Sequence, residues 1–174
     1  LIMKAEGTSE KDLKTAEKFQ HALVSTVVQN LDASVEDLEA RVNEVLKAVL
    51  SAEELAEEGV AGKITAGVAQ LASPWMRAFL TLEPKISLEK VQCPVLVING
   101  EKDLQVDPNL NLPAIRASLK KAGNTRFEIV EYPGLNHLFQ KCETGSVSEY
   151  QGIEETFNEK PLKKMAEWIR GIGR

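Results

Sequence analysis

Residues 94–99, Pro-Val-Leu-Val-Ile-Asn, form an unbroken β-prone run with no polar alternation. A strand that reads this way is covered on both faces, which happens where helices flank a parallel sheet. A second strand-like run occupies residues 127–132, about 27 residues further on. Between them, residues 112–122 read as a helix with Pro113 near its start and Gly123-Asn124 as its stop. That spacing suits a right-handed crossover between parallel neighbours. Leu162, Met165, Ala166 and Ile169 give a C-terminal helix an apolar face. This part of the chain is therefore expected to run β-α-β-α with parallel strands.

The composition changes near residues 83–92, and everything before that point reads as helix. Ser9 to Asp12, Ser34 to Asp37 and Ser51 to Glu54 each have the Ser-x-x-acid form of a capping box. After the first, Leu13, Ala16, Gln20, Leu23, Val27 and Val28 follow a three-and-four spacing. After the second, Val35, Leu38, Val42, Val45, Leu46 and Val49 do the same. A third, short helix closes near Gly59. Residues 63–72 are open to helix despite Gly67, and Ser73-Pro74 suits the start of another helix at 75–80. Such a cluster is not expected to bury its stripes well alone; it is expected to cover something.

Charge and composition exclude several classes. The net charge is −5, with the acidic excess in residues 1–90 and its densest cluster at Glu53, Glu54, Glu57 and Glu58. A negative surface without interleaved bases and aromatics argues against nucleic acid, and the cluster reads as a solvated helix face. No run reaches the length of a membrane span, and no leader pattern is visible at the start. Cys93 and Cys142 fit neither a disulfide framework nor a metal pattern, and Cys93 is expected to behave as a small buried hydrophobe at the head of a strand. No cofactor loop or metal site is expected, since Gly171-x-Gly173 reads as a fraying end. Compartment is left undecided.

Two short loops carry the chemistry. Gly-Glu-Lys-Asp at 100–103 follows the first strand and Gly-Leu-Asn-His at 134–137 the second. Parallel strands share their carboxyl edge, where catalytic groups of open α/β sheets gather. Asp103 and His137 are thus expected to project from one edge, the acid and base of a Ser…Asp…His order. Asp107, which precedes Pro108 and looks like a turn residue, is the second choice of acid, and Glu101 is a further alternative. His21 falls inside an amphipathic helix and reads as structural or exposed. No Gly-x-Ser-x-Gly occurs in the 174 residues, so a nucleophile elbow is absent.

Residues 93–106 (Cys-Pro-Val-Leu-Val-Ile-Asn-Gly-Glu-Lys-Asp-Leu-Gln-Val) and 133–140 (Pro-Gly-Leu-Asn-His-Leu-Phe-Gln) resemble the acid and histidine segments of α/β-hydrolases. They are most similar to bacterial serine esterases grouped with dienelactone-hydrolase-like and serine-aminopeptidase-like proteins. The likeness extends over residues 73–174, with 1–72 resembling a helical lid by position. It implies an α/β fold: the C-terminal part of an α/β-hydrolase, preceded by an all-helical lid subdomain. Residues 1–82 would be that lid, and 83–174 the part of the core that carries the triad acid, Asp103, and the general base, His137. It further implies that the nucleophile and oxyanion hole belong to a segment not in this sequence, leaving the chain alone catalytically silent.

Trp75 and Phe79, with Met76 and Leu80, are candidates to line an acyl pocket; packing of lid on core is the reading that the residues themselves favour. Glu154 and Glu155 are open to substrate contact, with helix-surface carboxylates the commoner reading. The expected partner is a small-molecule ester, with no nucleic acid and no membrane, and with self-association possible through the bare edge of strand 94–99. Against a carboxylic ester hydrolase stand a non-catalytic binding module and an acyltransferase on the same scaffold.

Overall fold

The computed structural model describes residues 1–172; Gly173, and with it half of the expected fraying Gly-x-Gly end, lies outside the described residues. The chain forms two compact units. One is Thr8–Leu82, and the other joins Leu1–Gly7 to everything from Glu83 onward. The elements in order are α1 (Ile2–Ala5), α2 (Glu10–Gln29), α3 (Val35–Val49), α4 (Ala52–Ala56), α5 (Val60–Leu71), α6 (Pro74–Leu80), α7 (Pro84–Leu88), β1 (Val95–Gly100), α8 (Pro108–Lys121), β2 (Phe127–Tyr132), a 3-10 turn at Val147–Gly152, and α9 (Glu159–Ile172). No described helix is long and apolar enough to cross a membrane.

In the helical unit all three serines cap their helices, each hydroxyl accepting from the backbone N–H three residues on. Only Ser51 completes the reciprocal box, because Glu54 Oε2 reaches back to the Ser51 N–H at 2.7 Å. Asp12 is one methylene shorter, and its carboxylate accepts a hydrogen bond from the Ser9 hydroxyl instead, at 2.6 Å. Glu54 also accepts from the Thr15 hydroxyl at 2.6 Å. That bond first, and the Ser51 backbone bond second, hold its carboxyl down to about 2.

The expectation that these helices cannot bury their own stripes is wrong. Leu23 and Val27 of α2, Leu38, Val42 and Leu46 of α3, and Val60, Ile64 and Val68 of α5 close on one another as a core. The stripes of α2, α3 and α5 face each other, so three amphipathic helices are mutual cover. Residues at the stripe margins, Val28, Val35, Val45 and Val49, stay partly exposed. α5 starts earlier than the small-residue reading gave, because Gly59 (φ 84°) turns the chain and lets Val60 lead the buried row. Arg77 of α6 ties the unit together by donating to the carbonyls of Leu31, Ala33 and Ala72.

In the α/β unit β1 and β2 are parallel and level, Val95 opposite Phe127 through Gly100 opposite Tyr132. Their carboxyl ends therefore finish side by side. The crossover helix α8 is longer than expected. Asp107 caps it, accepting from the Asn109 N–H at 2.9 Å, and Pro108 takes the first helical position. Pro113 consequently sits inside α8, where it has no N–H to give the Asn109 carbonyl.

Two further expectations need correction. Cys93 is exposed, not buried. The strand begins only at Val95, and residues 91–93 are a lead-in whose carbonyls at Val91 and Cys93 accept from Asn124 Nδ2 at 3.0 and 2.9 Å. Along α9, Met165 and Ala166 are partly buried but Leu162 and Ile169 are 48% and 64% exposed. Two strands about 4.8 Å apart are too narrow to cover a helix about 10 Å across.

Candidate active site

The two loops beyond β1 and β2 are zipped together. The Glu101 N–H donates to the Tyr132 carbonyl, and the Lys102 N–H to that of Leu135, both at 2.9 Å. Glu101, weighed as an alternative acid, spends its carboxylate on the Gly134 N–H at 2.8 Å. The approach is close enough to demand glycine. A Cβ on Gly100 would lie 2.3 Å from the Leu135 carbonyl oxygen, and one on Gly145 would lie 2.0 Å from that of Lys102. Lys102 further donates through Nζ to the Glu143 carbonyl at 2.6 Å.

This zipping brings Asp103 and His137 together, Oδ2 to Nδ1 at 2.8 Å. Asp103 is 5% exposed. Its Oδ1 accepts from the backbone N–H groups of Gln105 and Val106 at 3.0 and 2.8 Å. Its Oδ2 accepts from Asn99 Nδ2 at 3.2 Å as well as from the imidazole. Three N–H groups that can only donate, shared over two oxygens, suit an acceptor-only carboxylate. Against such a carboxylate Nδ1 of His137 is the donor, and in the neutral imidazole Nε2 then keeps its lone pair. The imidazole side chain is 37% exposed against 6% for the Asp103 side chain, so one partner is locked away and the other reaches solvent.

His137 owes its placement to neighbours that sequence reasoning passed over. Asn136 is fully buried, and its Oδ1 accepts from the N–H groups of Leu138 and Gln140, both at 2.9 Å. Its Nδ2 donates to Gln140 Oε1, and Gln140 Nε2 in turn donates to the Glu155 carbonyl. Phe139 holds a positive φ of 56° and lies between the rings of Tyr132 and Phe157. The available signals were Asn99 closing an otherwise apolar strand and Asn136 standing beside the histidine. Glu155, read as a surface carboxylate, also accepts from the Lys141 N–H and Asn158 Nδ2.

Other candidates fall elsewhere. His21 is exposed on α2. Trp75 and Phe79 of α6 stack at 5.3 Å between centroids and are 68% and 53% exposed, outside the core of the helical unit. Cys142 follows the histidine loop, but burial, and then the nearby Glu149 charge, push its thiol up, away from a reactive thiolate. The Thr144 hydroxyl holds Glu149 itself down. Among the described residues no cluster of His, Cys, Asp and Glu could hold a metal.

The arrangement can orient an imidazole and stabilise its positive charge while Nε2 exchanges a proton with something outside. No curated protein and no solved structure matches the chain. A family model, BAAT / Acyl-CoA thioester hydrolase C terminal, matches residues 13–141, most of the helical unit and both site loops. It does not reach the narrower esterase grouping that the resemblance suggested. The chain therefore belongs to the BAAT / acyl-CoA thioester hydrolase C-terminal family, within the α/β-hydrolase superfamily.

Proposed function

We propose that this chain supplies the acid and base of a hydrolase that cleaves acyl thioesters or esters through an acyl-serine intermediate. The carrying observation is the buried Asp103 carboxylate 2.8 Å from a solvent-reaching His137 imidazole. Nε2 takes the proton of the attacking hydroxyl, and Asp103 stabilises the imidazolium so formed. The proton then goes to the leaving group, and a water attacks the acyl-enzyme by the same route in reverse roles. A thiolate leaves more readily than an alkoxide, so a thioester asks less of His137 as acid than an ester does.

The serine and oxyanion donors come, on this reading, from a segment outside these 174 residues, and the chain alone is silent. The lid, expected over residues 1–82, is on this reading Thr8–Leu82, since Leu1–Gly7 joins the unit from Glu83 onward. Trp75 and Phe79 contact the acyl chain, their stacked and exposed rings offering an apolar face. The unpaired edge of β1 is where the chain alone would self-associate, and a strictly monomeric state by light scattering would count against that.

The test is hydrolysis of acyl-CoA and p-nitrophenyl acyl esters by the protein that carries this chain, with and without His137→Ala. A drop of about a thousandfold or more is expected on both substrates, steeper on the ester. Undiminished turnover in the variant ends the proposal.

A further inference from the structure

Asn99 occupies the penultimate position of β1 and is 8% exposed. Its Nδ2 faces three oxygens: Asp103 Oδ2 at 3.2 Å, and the carbonyls of Gly100 and Val106, both at 3.3 Å. All three are acceptors, so the amide can sit only with its NH2 toward them; the flipped rotamer would set oxygen against oxygen. Two protons shared among three acceptors go preferentially to the charged one.

The oxygen that Asn99 touches is the one His137 uses. Oδ1 is fixed by backbone N–H groups of its own loop, whereas Oδ2 is held by two side chains, Asn99 and His137. The two carboxylate oxygens turn together about the last torsion, so the bonds to Oδ1 help set where Oδ2 lies, and Asn99 adds a bond to Oδ2 itself. With Asn99 in place, Oδ2 has a second anchor that does not depend on the imidazole. We infer that Asn99 is a positioning residue acting through Asp103: it pins the oxygen that accepts the hydrogen bond from His137 Nδ1–H, and so fixes the tautomer that leaves Nε2 free. The inference rests on the Asp103–His137 reading above and deepens it.

The 174-residue chain has two histidines, so nitrogen-15 NMR of the imidazoles reads the tautomer directly, with His21→Gln identifying the other ring. The wild type is expected to show the Nδ1–H tautomer, with a downfield proton on that nitrogen. In Asn99→Leu, similar in shape but without the donor, the tautomer ratio should fall about fivefold, as loss of one hydrogen bond of ordinary net strength gives. In Asn99→Asp a second carboxylate should keep both ring nitrogens protonated at a pH where the wild type carries one proton.

Ring shifts unchanged in both variants, with the downfield proton intact, would overturn the role of Asn99 and leave the pair standing. Absence of that proton from the wild type would instead overturn the pair. Should neither variant fold, the wild type decides: the Asn99 side-chain NH2 resonances must move in step with protonation of His137 on acidification. Resonances that stay still through that change refute the inference.

Discussion

Between Thr8 and Leu82 the buried side chains are Leu23, Val27, Leu38, Val42, Leu46, Val60, Ile64, Val68 and their like, with Thr26 the polar exception among the described residues. From Glu83 onward the buried hydrophobics are Leu112, Leu119, Tyr132 and Leu135. Beside them stand Asn99, Asp103, Ser118, Asn124, Asn136, Gln140 and Ser146. The buried interior of the first unit is almost wholly apolar, while that of the second combines apolar side chains with a larger number of directional polar ones. Apolar packing tolerates change as long as volume is kept. A buried amide does not, because losing one partner strands a donor or acceptor at full desolvation cost. Among the described residues no buried side-chain polar atom lacks a partner.

The contrast can be broken most sharply at the site. Asp103→Asn keeps the shape but can no longer hold Nδ1 as the proton carrier. Turnover by the protein carrying the chain should fall about ten-thousandfold, with the far-ultraviolet circular dichroism unchanged. A fall of only a few-fold would place the acid elsewhere. Next in size is the helical core. Leu38→Ala should cost about 3 kcal/mol, read as a shift of the urea transition of the helical unit, whereas Leu38→Met should cost under about 1.5 kcal/mol. Equal costs would show that this core is as exacting as the polar one.

Asn136→Ala should cost about 2 kcal/mol by stranding the N–H groups of Leu138 and Gln140. Unlike the leucine changes, it should also lower turnover, since it frees the loop that holds His137. Unchanged kinetics would remove Asn136 from the argument. The smallest effect is polar and lies in the otherwise apolar unit. Glu54 titrates at about 2 in the folded chain against an ordinary value of 4.5. It therefore adds stability above pH 4.5 that is lost as pH falls toward 2. Thr15→Val removes the largest cause of that lowering. The Tm difference between pH 5 and pH 3 should be smaller in the variant than in the wild type, and an identical difference refutes the link.

Strands 95–100 and 127–132 were legible because β-branched runs between turn signals have few other uses, and the serine caps because a cap is a local bond. The residues Asp103 and His137 were legible as positions, each a few residues past a strand end. What each amide beside them does was not, because Asn99 meets Asp103 and Asn136 meets Gln140, each four residues on, through irregular loop backbone that no periodic pattern spells out. A stripe such as Leu38–Val42–Leu46 shows that a face is buried and not against what, so the self-sufficient helical core was hidden too. The length of α8 was hidden by its second proline. Pro113 looked like a helix start, while Asp107-Pro108, the actual start, looked like a turn.

Phe139 is both the weak link and the rivet of the histidine loop. Its backbone sits where a bulky residue is disfavoured, yet its ring is clasped by Tyr132 and Phe157, and its carbonyl by the Asn158 N–H. A glycine there would relax the main chain and cut the clasp at once. The segment at Phe157 and Asn158 is thus what keeps a disfavoured backbone geometry in place two residues after the imidazole.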